Sequence, residues 1–149
     1  MALKLSPAGA QALPSGATVY LDTNPLIYLT EGSPAFKERI SGLFAKLHEA
    51  RARLITSELA LTETLVHPLR KDDAQLVAAY DRLFRELVNP LPVSREVLLL
   101  AAKLRAQSPK LRTPDAIHIA TAVLAKAYAF VSNDKGLGVL PGGMRMLSV

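Results

Sequence analysis

Cysteine is absent from the 149-residue sequence. Its absence excludes disulfide bonds, thiolate metal ligands and a cysteine nucleophile, and it is consistent with a reducing compartment. Long apolar runs are also missing, so no segment is expected to cross a bilayer. The N-terminus lacks the sustained apolar core of a signal peptide. We therefore expect a soluble cytoplasmic protein that does not interact with membranes.

Aromatic and acidic residues are few. Tryptophan is absent, and only four tyrosines and four phenylalanines occur, so recognition of nucleic-acid bases by stacking is not evident. Thirteen acidic residues stand against 18 lysines and arginines, which gives a net charge of +5. A basic surface favours an anionic partner such as nucleic acid, although a modest positive charge also keeps a small domain soluble.

What is present indicates one globular domain, since half of the residues are hydrophobic. We expect an irregular lead-in over residues 1–17 and a single domain over 18–149. The apolar patterns predict strands at 18–22, 53–56 and 129–132, and an edge strand at 145–147. Helical patterns separate the first three strands, which implies parallel crossovers and an α/β fold with a mainly parallel sheet.

Six helices are predicted from apolar periodicity and capping residues. They cover 25–30, a segment from Pro34 that is capped by Ser33, 57–69, 72–87, a segment after the cap Ser94, and 113–127 with Thr113 as the cap. Residues 89–92 are predicted to form a turn that contains some extended residues.

The first predicted strand ends on Asp22, and the chain then turns through Thr23 and Asn24. A buried strand that delivers a carboxylate at its carboxyl end is typical of a binding site, because ligands of open α/β sheets bind in the crevice beyond the strand ends. The alternative is that Asp22 only caps the following helix.

Three later acids are placed to reach the same edge of the sheet. Asp134 follows the third strand, Asp115 lies in the first turn of a helix, and Glu63 lies in the helix after the second strand. Four clustered carboxylates would repel one another unless a cation offset their charge. A hard divalent cation binds such oxygens and can activate water for attack on phosphorus. The simpler alternatives are a helix-dipole role for Asp115 and a turn role for Asp134.

Other polar residues lie near these acids. Lys103, Arg105, Lys110 and Arg112 form a basic run that leads to Asp115 and would meet an RNA phosphate backbone, unless they are only a solvated surface. His118, three residues after Asp115, would contact substrate, support a site residue, or serve as a hydrogen-bonded packing residue. We prefer the packing role for His118.

In their order and spacing, four segments resemble the PIN-domain ribonucleases, especially the VapC-like toxins of prokaryotic toxin–antitoxin pairs. These segments are 21–24, 56–65, 114–122 and 132–134. The resemblance implies a three-layer α/β/α sandwich, Mg²⁺- or Mn²⁺-dependent endoribonuclease activity, a cognate antitoxin and a homodimer. It implies that the metal ligands or general-base supports are Asp22, Glu63, Asp115 and Asp134, and that the polar residues beside them are Thr23, Asn24 and Asn133.

Two points qualify the resemblance. Glu58 competes with Glu63, but five residues on a helix separate their directions by about 140°, and we favour Glu63 because it matches the motif. The lead-in of residues 1–17 is longer than we expect for this family. Two other functions remain open. One is a phosphoacceptor signalling domain, which Lys135 would suit although the first strand lacks a pair of acids. The other is a catalytically silent RNA- or protein-binding domain of the same fold.

Overall fold

The protein is described by a computed structural model over residues 13–134, 137 and 140–149. Within these residues, five strands form one sheet in the order β3-β2-β1-β4-β5, and each neighbouring pair is parallel. This confirms the predicted parallel sheet. The strands are Thr18–Leu21 (β1), Arg53–Ser57 (β2), Asn89–Leu91 (β3), Ala129–Ser132 (β4) and Arg145–Ser148 (β5).

In the described part of the chain, six α-helices cover the two faces of this sheet, which confirms the three-layer α/β/α arrangement. The helices α1 to α4 pack on one face, and α5 packs with α6 on the other. None of the helices in the described ranges is long and apolar enough to span a membrane. The helices are Thr23–Glu31 (α1), Lys37–Glu49 (α2), Leu59–Arg70 (α3), Ala74–Arg82 (α4), Arg95–Gln107 (α5) and Thr113–Leu124 (α6).

Strand β1 lies at the centre of the sheet and distributes its side chains to both cores. Val19 and Leu21 pack with the α1–α4 layer, and Tyr20 packs with residues of α6. Successive side chains of a strand point to opposite faces, so this alternation follows directly from the sequence. All three side chains are fully buried, as expected for a central parallel strand.

The order of the strands creates a switch point beside β1. From β1 the chain moves outward to β2 and β3 on one side, and it then returns to place β4 and β5 on the other side. Ligands of such sheets bind where the direction of winding reverses, beyond the carboxyl ends of the strands. Asp22 follows β1 and Asn133 follows β4, so both lie at this point.

Several predicted helix boundaries were wrong. Ser33 does not cap α2, because residues 33–36 form a turn in which Phe36 N donates to Ser33 O, and the Phe36 ring stacks on Tyr28 at 4.3 Å. Thr113 is inside α6 and Arg112 holds the capping position. Helix α6 ends at Leu124 and not at residue 127, and Lys126, just beyond its end, takes a left-handed backbone conformation.

The predicted helix 72–87 is also divided. It begins after Asp73, which caps α4 through Leu76 N, and its last turn, Leu83–Leu87, is a π-helix. The extended residues predicted within 89–92 are residues 89–91, which pair with β2 as strand β3. Residues 13–17 of the predicted lead-in contain no helix or strand. Residues 1–12 and Lys135 lie outside the described residues, so the rest of the lead-in and the lysine of the phosphoacceptor alternative stay predictions.

Candidate active site

Asp22 is both a helix cap and the centre of a buried polar cluster. Its Oδ1 accepts a hydrogen bond from Thr23 N at 2.9 Å, and its Oδ2 accepts one from Ser132 Oγ at 2.9 Å. The side chain is only 15% exposed. Burial raises the pKa of the Asp22 carboxyl above its ordinary value, although nearby His118 and both hydrogen bonds oppose the rise. A buried carboxyl with a raised pKa at a strand end is a candidate for function.

Glu63 joins this cluster from α3. Its Oε1 accepts hydrogen bonds from Thr23 Oγ1 at 2.9 Å and from His118 Nε2 at 2.6 Å. Partial burial raises the pKa of Glu63, but the hydrogen bonds from His118 and Thr23 and the nearby basic side chains outweigh it, so the net pKa lies below the ordinary value. Glu63 is therefore ionised at neutral pH. Glu58 is exposed at the start of α3 and lies outside these contacts.

Asp115 and Asp134 lie in an adjoining cleft of about 640 Å³. Asp115 forms an ion pair with Arg112, whose Nε is 3.2 Å from Oδ2. Ser132 joins the cleft to the buried cluster, because its hydroxyl donates to Asp22 and accepts from Asp134 N at 3.0 Å. The structure thus brings the four acids to one edge of the sheet as two neighbouring pairs.

The donor chemistry of this edge suits a hard divalent cation, since carboxylate oxygens are its preferred ligands. Within the described residues, however, no three His, Asp or Glu side chains are already arranged around one point as metal ligands. Oε1 of Glu63 instead accepts hydrogen bonds from His118 and Thr23, and Asp115 is paired with Arg112. The donor atoms of these residues fit a hard divalent cation in their chemistry.

The predicted polar neighbours also meet at the switch point. Asn24 Nδ2 donates to Asn133 Oδ1 at 3.1 Å, and Asn133 Nδ2 donates to the Tyr28 hydroxyl at 2.6 Å. These contacts connect the ends of β1 and β4. Thr23 contacts Glu63 and His118. The functional roles of Asn24, Asn133 and Thr23 stay predictions.

The four basic residues fall into different positions. Lys110 and Arg112 line the cleft beside the acids, whereas Lys103 is exposed on α5 and is not one of the lining residues. Arg105 donates through Nε to Leu111 O and through Nη1 to Thr113 Oγ1, both at 2.9 Å. These two hydrogen bonds stabilise the loop that carries Lys110 and Arg112.

Two residues of the site were missed by sequence reasoning. Ser132 bridges Asp22 and Asp134, and the Tyr20 hydroxyl forms a hydrogen bond with Nδ1 of the buried His118 ring. The sequence did contain a signal for Tyr20. It lies two residues before Asp22, and the alternation of side chains along β1 turns it to the face of the sheet that α6 covers. For Ser132 the only signal was its place directly before Asn133 and Asp134.

Comparison with known proteins identifies the family. The profile of the PIN domain matches residues 19–142. VapBC2 from Rickettsia felis, crystallised with a DNA fragment from its promoter, is 17% identical with a TM-score of 0.69, over 88% of this chain and 98% of that chain. A toxin–antitoxin complex from Klebsiella pneumoniae is 24% identical with a TM-score of 0.60, over 88% and 95% of the two chains.

DNA-bound VapBC from Salmonella typhimurium is 17% identical with a TM-score of 0.65, over 89% of this chain and 98% of that chain. At these identities the structural likeness shows a shared fold. A search of curated proteins found no match. Because the domain profile spans most of the chain, including Asp22, Glu63, Asp115 and Asp134, this protein belongs to the PIN-domain family.

Proposed function

We propose that this protein is a metal-dependent endoribonuclease that cleaves RNA phosphodiester bonds. PIN domains are in general divalent-metal-dependent nucleases. The observation that carries the proposal is Asp22, a buried carboxylate at the switch point of the sheet, which is joined through Ser132 to the cleft of Asp115 and Asp134. A mainly structural cap would need neither this burial nor these neighbours.

Mg²⁺ or Mn²⁺ would be held by Asp22, Asp115 and Asp134, and Glu63 would complete the set. When bound, such a cation supplies an activated water and neutralises charge at phosphorus. The task of the chain is to hold its carboxylates in place. Ser132 and Thr23 N bind the two oxygens of Asp22, and each oxygen keeps a lone pair for a ligand.

The substrate would be bound through its phosphates. Lys110 and Arg112 line the cleft, and their charge would attract and orient a polyanion. The residues that line this cleft include no aromatic side chain in the described part of the chain. Recognition of the backbone therefore suits this surface better than stacking of bases.

We further propose that the protein is the toxin of a toxin–antitoxin pair, acts in the cytoplasm, binds a cognate antitoxin and forms a homodimer. The support is the set of structural neighbours, which come from toxin–antitoxin complexes. Leu98 and Leu99 on α5 are 47% and 56% exposed and offer apolar surface for a protein contact. Light scattering of the protein alone, and with the product of the neighbouring reading frame, tests the oligomeric state and the partner.

Removing divalent metal is expected to stop RNA cleavage. A labelled single-stranded RNA should be cleaved internally by the purified protein in Mn²⁺ or Mg²⁺. Cleavage should cease in EDTA and return with excess cation, because the bound cation would supply the activated water. A DNA of the same sequence tests the preference for RNA. Cleavage that continues unchanged in EDTA would contradict the proposal.

Neutralising the basic side of the cleft is expected to weaken RNA binding and its salt dependence. Lys110→Gln and Arg112→Gln should each reduce the slope of log affinity against log salt by about 0.7, the value for one phosphate contact on a single strand. Filter binding measures this in protein that also carries Asp22→Asn, so that the RNA stays intact. Lys46→Gln, an exposed lysine of α2, is the control. Slopes equal to that control would exclude both contacts.

A further inference from the structure

A buried line of hydrogen bonds lies behind Glu63. The Tyr20 hydroxyl is 2.6 Å from His118 Nδ1, and His118 Nε2 is 2.6 Å from Glu63 Oε1. Tyr20 is 0% exposed and His118 is 2% exposed, although they are 98 residues apart in sequence. Hydrogen bonds therefore connect two fully buried polar side chains to one carboxylate of the candidate site.

The chemistry of the three groups decides where the protons lie. An ionised carboxylate only accepts hydrogen bonds, so Nε2 of His118 must carry the proton that faces Glu63. In a ring that carries only this one proton, Nδ1 is an acceptor, and the Tyr20 hydroxyl, 2.6 Å away, donates to it. Burial keeps the pKa of Tyr20 well above its ordinary value, so the hydroxyl retains its proton.

The other tautomer of His118 would be unfavourable here. With the proton on Nδ1, the lone pair of Nε2 would face Glu63 Oε1 at 2.6 Å and repel it. Tyr20 favours the first tautomer, because its hydroxyl donates a hydrogen bond to the lone pair of Nδ1. In the described structure no buried side-chain nitrogen or oxygen lacks a hydrogen-bond partner, which fits this assignment.

Glu63 needs such support because its side chain is 30% exposed and α3 alone would leave it several rotamers. His118 and Thr23 both bind Oε1, so Oε2 is left for a ligand. We propose that Tyr20 and His118 are positioning residues: the Tyr20 hydroxyl selects the Nε2–H tautomer of His118, which holds Glu63 toward the cation and phosphodiester. This inference rests on the proposed nuclease function.

Tyr20→Phe tests the proposal by removing one hydroxyl while keeping the ring that stacks on Phe130 at 5.0 Å. We expect Mn²⁺ affinity, measured by calorimetry, and kcat to fall about tenfold, at the lower end of the effect of residues that orient metal ligands. KM for RNA should change less than twofold, since the cleft is untouched. Unchanged Mn²⁺ affinity and kcat would overturn the proposal.

Tyr80→Phe is the matched control. Tyr80 is also 0% exposed, and its hydroxyl donates to Glu31, away from the site. This variant should lose stability to a similar degree as Tyr20→Phe, yet keep the Mn²⁺ affinity and kcat of the wild-type protein. Equal losses of kcat in both variants would show that Tyr20 acts through stability alone.

A double-mutant cycle tests the route through Glu63. In Glu63→Gln protein, adding Tyr20→Phe should cause no further loss of Mn²⁺ affinity, because residues that act through one another are not additive. Additive losses would overturn the route. If the wild-type protein neither binds Mn²⁺ nor cleaves RNA, the proposed function has failed instead.

The tautomer is tested independently of activity by ¹⁵N NMR of the histidine rings in metal-free protein. His118→Gln assigns the signals against the two other histidines. We expect a protonated Nε2 and an unprotonated Nδ1 in the wild-type protein, and a shift toward the other tautomer in Tyr20→Phe. A protonated Nδ1 in the wild-type protein would overturn the proposal.

Discussion

Asp22→Asn is expected to reduce RNA cleavage by about 10³-fold or more and, at the same time, to make the metal-free protein harder to unfold. The loss of activity follows because Asn lacks the charge that a divalent cation requires. It should exceed the 10–100-fold loss that is typical of residues which only support metal ligands. Cleavage assays in Mn²⁺ measure this effect.

The gain in stability follows from the burial of the carboxylate. Its raised pKa means that the ionised form is unfavourable in the folded protein. Asn keeps an oxygen that can accept from Thr23 N, and it caps helices as well as Asp does. The free energy of unfolding should rise by about 0.5–2 kcal/mol, the usual range for one stabilising substitution. Thermal and urea unfolding measure it.

The pH dependence of this gain has a defined sign. Because the folded pKa of Asp22 is above the unfolded value, the neutral carboxyl stabilises the fold at low pH, and this contribution is lost as pH rises through the folded pKa. The advantage of Asp22→Asn should therefore be full at neutral pH. It should vanish below the ordinary value of 3.8, where wild-type Asp22 is also neutral.

Asp81→Asn is the control for both effects. Asp81 lies on α4, its side chain is 61% exposed, and it pairs with Arg85 at the surface. We expect cleavage within twofold of the wild-type rate and little change in stability. If Asp22→Asn retained cleavage, Asp22 would be only a structural cap. If the variant unfolded more easily than wild-type protein at neutral pH, the predicted gain in stability would be wrong.

Glu63→Gln is expected to reduce cleavage by about 10²-fold, since the amide keeps the shape of the side chain but removes its charge. Its effect on stability should have the opposite sign to that of Asp22→Asn. The pKa of Glu63 is lowered, so its charge stabilises the fold above the unfolded pKa, and this is lost as pH falls through the folded value. Unfolding at neutral pH should therefore be easier in Glu63→Gln.

Glu58→Gln separates the two glutamates of this segment. Glu58 is exposed at the start of α3, whereas Glu63 Oε1 is bound by Thr23 and His118. We expect Glu58→Gln to cleave RNA within twofold of the wild-type rate. A larger loss of cleavage in Glu58→Gln than in Glu63→Gln would show that Glu58, and not Glu63, belongs to the active site.

Local patterns were enough to predict an α/β fold with a mainly parallel sheet. The apolar run before Asp22 indicated a buried strand, and the helical segments between strands required parallel crossovers. Parallel strands end at one edge, so Asp22, Asp115 and Asp134 were expected to lie near one another. These features depend on short periods of two and 3.6 residues and on chain connectivity, which are visible in a sequence.

Helix ends were less predictable. Ser33 and Thr113 are good capping residues, yet the stacking of Phe36 on Tyr28 and the hydrogen bond from Arg105 to Thr113 decided where α2 and α6 begin. In both cases a tertiary contact outweighed a local preference that is worth about 1 kcal/mol.

The hydrogen bonds within the site were determined only by the tertiary structure. β4 could have paired elsewhere, but its place beside β1 brings Ser132 to Asp22 across 110 residues of sequence. The same packing buries His118 between Tyr20 and Glu63. A polar side chain buried in a core must find hydrogen-bond partners, and which partners it finds depends on distances that no local pattern of residues encodes.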